Sequence, residues 1–182
     1  MHRTNKWIAA FLLAMLLPAG CSNTQATDKA QNDLSAKVCF SPNGGCTDAI
    51  VKELSGAKTE VLVQAYSFTS KEIAKALLDA SKRGLHTEVI LDKSNVSAKY
   101  SAGDFTAHMG IPTYIDSQHA IAHNKIMIID REVIITGSFN FTKAAEERNA
   151  ENLLVIRSKE LAKAYIENWQ KHKAHSERYE GR

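Results

Sequence analysis

Two hydrophobic periods alternate along this chain, and the places where the period changes mark its elements. Glu60–Phe68 carries Val61, Leu62, Val63, Ala65, Tyr66 and Phe68 as a near-continuous apolar run, the pattern of a strand buried on both faces. Ser70–Arg83 switches to helical spacing, with Ile73, Ala74, Leu77 and Leu78 on one side. Ser70 supplies a cap, Glu72 an acid in the first turn and Gly84 a stop. The same reading predicts strands over Val38–Ser41, Thr87–Leu91, Pro112–Ile115 and Asn152–Arg157, and a helix over Thr47–Ala57 carrying Ile50, Val51 and Leu54. Val96–Met109 reads as a weakly patterned helix, and Glu160–His172 as a closing helix that turns Leu161, Ala164, Tyr165, Ile166 and Trp169 inward. Lys125–Asp130 and Glu132–Thr136 are apolar, β-rich runs separated by little more than a turn, so a hairpin is predicted. Helices interleaved with strands predict an α/β fold, a mixed β-sheet sandwiched between helices. No internal repeat is visible.

The first residues follow another pattern. Arg3 and Lys6 precede an uncharged apolar run from Trp7 to Leu17, followed by the small residues Ala19 and Gly20. Residues 1–20 therefore read as an export signal, with an apolar run too short for a comfortable membrane span; the alternative is an uncleaved anchor. Residues 21–36 are rich in Asn, Thr, Gln, Ser, Asp and Ala without periodicity and read as a flexible tether. The folded domain is expected over residues 37–175, with 176–182 as a tail. Lys171, Lys173, Arg178 and Arg182 make its C-terminal end basic, which reads as a solvated tail before it reads as a nucleic-acid arm.

Composition adds limits. The hydrophobic fraction of 44% is enough for one proper core. Without Arg3 and Lys6 the 23 basic residues fall to 21 against 20 acidic ones, so an exported product is almost neutral. A strongly basic nucleic-acid binder would carry much more charge, and any attraction for phosphate must be local to a site. Cys39 and Cys46 flank the turn-forming Ser41-Pro42-Asn43-Gly44-Gly45 and, in an exported protein, are expected to form a disulfide; the alternative is two free thiols. Cys21 follows Ala19-Gly20, where a lipoprotein signal places its lipidated cysteine, although Pro18 stands where such signals carry Leu. Lipidation at Cys21 and cleavage nearby, for instance after Ala26, both stay open, giving an anchored or a soluble periplasmic product.

Chemistry concentrates in the predicted hairpin. Side chains alternate along a strand, so His123 and Lys125 project to one side at its start, and the returning strand brings Gly137, Ser138 and Asn140 back beside them. A fixed positive charge and neutral hydrogen-bonding groups suit the non-bridging oxygens of a phosphodiester. The imidazole serves as a nucleophile or proton shuttle near neutral pH. No acidic cluster stands nearby in sequence to hold a divalent cation, so neither a metal nor another cofactor is expected in the chemistry. Ser138 lacks the Gly-x-Ser-x-Gly elbow of a serine hydrolase. Phe139 and Phe141 could stack on bases or be buried beside the hairpin, and Tyr66 and Phe68 read as core before they read as contacts.

The spacing His-x-Lys-x4-Asp-x6-Gly-Ser-x-Asn, carried by His123, Lys125, Asp130, Gly137, Ser138 and Asn140, resembles the HKD motif of the phospholipase D superfamily. Ala65-Tyr66-Ser67-Phe68-Thr69 and the stretch from Gly137 to Glu146 resemble its small bacterial Nuc-type endonucleases, and the likeness runs from about Val38 to Trp169. The resemblance implies a phospholipase D/nuclease-like fold and a phosphohistidine mechanism. Two HKD histidines flank the scissile phosphate; one attacks phosphorus while the other protonates the leaving oxygen and then activates water. It implies that Lys125, Ser138 and Asn140 hold the phosphate, that Glu151 hydrogen-bonds and orients His123, and that Asp130 and Gly137 shape the motif. One motif cannot supply both histidines, and His86, His108, His119, His172 and His175 lack its following Lys and Asp. The resemblance therefore implies a homodimer with one shared site. Its expected substrate is nucleic acid, DNA first and RNA second, cut with low sequence specificity. A lipid phosphodiesterase acting on phosphatidylcholine-like substrates shares the chemistry and is the first alternative; contact with a membrane is expected only through an anchor at Cys21. A binding module with a dead site is the second alternative, and the intact motif speaks against it.

Overall fold

The computed structural model describes residues 34–98 and 101–182. The export signal, Cys21 and most of the tether lie outside the described residues. β1 (Ser35–Ser41) leads into α1 (Cys46–Gly56), β2 (Glu60–Ala65), α2 (Lys71–Lys82) and β3 (His86–Asp92). Two short helices, α3 (Ser94–Ser97) and α4 (Ala102–His108), lie between β3 and β4 (Thr113–Asp116). The hairpin β5 (Lys125–Ile129) and β6 (Val133–Gly137) is followed by α5 (Lys143–Glu147), β7 (Glu151–Arg157), α6 (Lys159–Ala174) and β8 (Glu177–Tyr179).

The strands form one eight-stranded sheet in the order β1-β7-β6-β5-β2-β3-β4-β8. Pairing is parallel across β2–β3–β4 and antiparallel elsewhere, the mixed sheet expected from the interleaved helices. Because side chains alternate, each central strand feeds two cores. Val61, Val63, Val89, Met127 and Ile135 pack with Ile50 and Leu54 of α1 and Ile73 and Leu77 of α2. Leu62, Ile90, Ile128 and Ile134 pack on the other face with Ala162, Ile166 and Trp169 of α6. Trp169 is buried, and its indole N–H donates to Val63 O at 3.0 Å. Phe68, Phe139 and Phe141 are fully buried, so base stacking by the two hairpin phenylalanines is ruled out in this fold. Among the described residues no helix is long and apolar enough to cross a membrane.

Three expectations are corrected. The C-terminal residues are not a free tail: β8 pairs with β4, Arg182 bonds Asp104 at 2.9 Å, and Lys173 is ion-paired with Glu88. Docking on the edge of the sheet gives these charges partners that local sequence does not reveal. The predicted helix over Val96–Met109 is broken into α3 and α4, with Ala98 in an extended conformation. Cys39 and Cys46 are free cysteines rather than a disulfide. Packing of β1 on α1 already brings them together, and they interact as thiols. Burial, with Cys39 and Glu146 beside it, pushes the Cys46 thiol up to about 12, so it stays protonated at neutral pH.

The β5–β6 turn shows what the motif aspartate does. Asp130 and Arg131 both have positive φ, 53° and 57°. The Asp130 carboxylate accepts the N–H groups of Lys58 (2.9 Å), Thr59 (2.8 Å) and Glu60 (3.1 Å) and the Thr59 hydroxyl (2.9 Å). It thus ties the hairpin tip to the chain entering β2. Burial acts to raise its pKa, but these donors outweigh burial and hold the carboxyl below its ordinary value. Asp130→Ala is expected to cost about 1–3 kcal/mol at pH 7, because several donors lose a charged acceptor at a partly exposed site. A lowered carboxylate pKa stabilises above the unfolded value and is lost as pH falls through the folded one. The difference between wild type and variant in urea unfolding should therefore narrow below about pH 4.

Candidate active site

The ends of several strands meet on one side of the sheet, at the end where β2 finishes and β5 begins. Ala65, the last residue of β2, pairs with Lys125, the first of β5. Gly137, the last of β6, pairs with Leu153, and Glu151 at the start of β7 pairs with Ser41 at the end of β1. The antiparallel hairpin returns to the end it left, so His123, Lys125, Ser138, Asn140 and Glu151 all come to that end of the strands.

His123 is exposed just before β5, and its ring packs on Tyr66 with centroids 4.6 Å apart. Lys125 is buried at 6% exposure. Its Nζ donates to His123 O at 2.8 Å and lies 5.0 Å from the Tyr66 ring centroid. Burial lowers the Lys125 pKa, and the negative charge of Glu151 opposes that shift. A desolvated ammonium with a nearby carboxylate is poised to meet a second anion. Tyr66, which reads as core from sequence, is only half-buried and wedges between the two motif side chains. Its own strand pattern does not reveal this, because the ring sits one residue past the end of β2.

Ser138 and Gly137 are fastened to β7. Ser138 N–H donates to Asn152 O at 3.1 Å, and Ser138 Oγ accepts Asn152 N–H at 3.1 Å. Gly137 has φ 144°, and a Cβ there would stand 2.3 Å from Asn152 O, so the backbones meet only if this residue is glycine. Asn152 is thus a structural partner of the motif that sequence reasoning missed; being exposed and polar on a strand, it gives no local signal. Asn140 Oδ1 is buried and has no hydrogen-bond partner among the described residues, so this acceptor is unmet, while the NH2 of the same amide is the group able to donate to an anion.

Glu151 Oε1 accepts from Asn149 Nδ2 at 3.0 Å and its charge acts on Lys125; among the described residues of one chain it makes no hydrogen bond to His123. The reason is the strand order: β7 is separated from β5 by β6, roughly 10 Å in all. Glu146, part of the matching text, is also structural; its carboxylate accepts Gly45 N–H at 3.0 Å and Thr47 N–H at 2.7 Å at the start of α1. Lys143 is paired with Glu147 at 3.3 Å.

A buried lysine, an exposed imidazole and an amide with an unmet oxygen thus stand at one end of the central strands, a set of side chains whose chemistry suits an anion. The family model described as "Cardiolipin synthase, PLD-like domain" matches residues 50–173. The chain is 43% identical over 143 residues to a "Phospholipase D" of Rickettsia felis, covering 78% of this chain and 72% of the relative. It is 24% identical over 164 residues to the "Mitochondrial cardiolipin hydrolase" of Homo sapiens, covering 87% of this chain and 65% of that one. Its fold superposes on Nuc from Salmonella typhimurium, a "phospholipase D family member", with a TM-score of 0.78 at 38% identity, covering 81% of this chain and 99% of that one. NucT from Helicobacter pylori shares the fold, with a TM-score of 0.76 at 23% identity over 81% of this chain and 100% of that one. The chain belongs to the phospholipase D superfamily and has the architecture of its Nuc-type structures. Its class of activity is phosphodiester hydrolysis.

Proposed function

We propose that the chain is a metal-independent endonuclease of low sequence specificity, working as a homodimer whose two His123 side chains flank one scissile phosphate. The observation that supports this reading is the convergence of exposed His123, buried Lys125 and Asn140, whose amide oxygen is unpartnered among the described residues, at one end of the central strands. One His123 nitrogen attacks phosphorus, the P–N bond forms, and the P–O bond to the leaving strand breaks. His123 of the second copy gives its proton to the leaving oxygen, then takes one from water as that water attacks phosphorus and releases the imidazole. Lys125, Ser138 and Asn140 bear the charge that develops on the phosphoryl oxygens. Glu151 acts through its field on Lys125. Phe40 supports a second copy at this end of the strands: it is 64% exposed and pairs across from Asn152, which holds Ser138.

Nucleic acid is favoured as substrate by the likeness to Nuc over nearly that protein's whole length. The lipid reading is kept by the relatives named phospholipase D and cardiolipin hydrolase. Purified protein offered plasmid DNA and phosphatidylcholine vesicles side by side in excess EDTA should nick and linearise the DNA and leave the vesicles intact. Choline release without DNA cleavage would replace the endonuclease by the lipid enzyme. Loss of both activities in EDTA, restored at once by magnesium or calcium, would replace the mechanism. Export by residues 1–20, with or without lipid at Cys21, is part of the same reading and would place the enzyme in the periplasm. Fractionation of cells expressing wild type and Cys21→Ser tests that part.

A further inference from the structure

Away from the HKD motif, Asp116, His119, His172 and His175 bring four potential ligand atoms within 4.8 Å of one another. Asp116 is the last residue of β4 and is fully buried. His119 follows in the next loop, while His172 and His175 stand one turn apart at the C-terminal end of α6. Asp116 Oδ2 lies 2.7 Å from His172 Nδ1, 3.1 Å from His119 Nδ1 and 3.3 Å from His175 Nε2. The three rings face one another with centroids 4.9, 5.2 and 5.3 Å apart.

Hydrogen bonding alone leaves this cluster incomplete. His175 Nε2 is buried and, although close to Asp116, makes no aligned hydrogen bond. Nitrogen and oxygen ligands about 2.0–2.1 Å from a tetrahedral ion stand roughly 3.3 Å apart, near the separations found here. Three neutral imidazoles and one carboxylate form a borderline N/O set that suits zinc rather than magnesium or calcium. Outer contacts already hold the ligands: Gln118 N–H donates to Asp116 Oδ1 at 3.1 Å, Lys93 Nζ to His119 O at 3.0 Å, and Ser176 Oγ to His172 O at 2.7 Å.

We propose that Asp116, His119, His172 and His175 bind one zinc ion that ties the end of α6 to the loop leading into the active site. That loop runs from His119 to His123 and is held midway by Ala122 N–H donating to Asp92 Oδ2 at 2.7 Å. The zinc closes a link between α6, β4 and the segment that presents His123. Its role is structural, since all four ligand positions are filled by protein.

Untagged full-length protein, stripped with EDTA and dialysed, would be titrated with zinc chloride by calorimetry, and with cobalt chloride while its visible absorption is followed. About one zinc per chain, the d–d absorption of four-coordinate cobalt, and a Tm raised by zinc are expected. His119→Ala and His175→Ala should each weaken zinc binding at least tenfold, with the metal-free variants keeping the far-ultraviolet circular dichroism of the metal-free parent. No zinc binding by the wild type, or unchanged affinity in either variant, overturns the proposal and leaves a hydrogen-bonded histidine cluster only.

Discussion

His123→Ala is expected to lower phosphodiester hydrolysis by roughly four orders of magnitude or more, since it removes the nucleophile and the proton shuttle from a shared site in one substitution. Each histidine alone serves in one role; in a symmetric dimer, one codon change deletes both. The fold should hardly notice. His123 is exposed and its ring packs on the half-buried Tyr66, so the stability change should stay within about 0.5 kcal/mol. Wild-type and variant unfolding curves that overlap, with cleavage of a labelled duplex lost, would agree with this assignment. Residual turnover near the wild-type rate would remove His123 from the chemistry.

Lys125→Met should cost about 10²–10³ in kcat, because a preorganised donor to the developing phosphoryl charge is lost. Unlike His123, this residue is buried, and among the described residues its ammonium donates one hydrogen bond, to His123 O. Exchange for an apolar side chain of similar length removes a desolvated charge, so stability should be unchanged or higher. Burial lowers the Lys125 pKa, and the active form is the protonated one. The alkaline limb of kcat/KM in the wild type is therefore expected below the range of an ordinary lysine, and it should vanish in the variant. A Met variant with wild-type kcat and the same alkaline limb would show that the phosphate charge is met elsewhere.

Much of this site was readable from residue order because the HKD hairpin is local. His123, Lys125, Gly137, Ser138 and Asn140 lie within one antiparallel pair, whose alternation and short turn settle which residues meet. The strong apolar runs of β2 and β5 and the capped, one-sided helix α2 were legible for the same reason. What escaped depends on pairing between distant segments. β8 reads as a charged tail until β4, more than sixty residues earlier, offers it an edge. Asn152 matters only because the β6–β7 register puts its carbonyl against Gly137. Glu151 was expected on His123, but counting strands between β5 and β7 needs the sheet order. The histidine cluster was hidden in the same way. Asp116-x-x-His119 and His172-x-x-His175 are ordinary spacings taken singly, and only docking of α6 against the end of β4 brings them together.

Mixed dimers test the central claim most directly. Wild type and His123→Ala, differing in an inert tag length, would be unfolded together, refolded at equal ratio, and resolved into parental and hybrid dimers. If one phosphate is worked by a histidine from each chain, the hybrid has lost one partner and is inactive. The unresolved mixture should then keep about a quarter of wild-type activity. A hybrid with half the activity of the wild-type dimer, or full activity from a monomer, would contradict the shared site and require each chain to carry out the reaction alone.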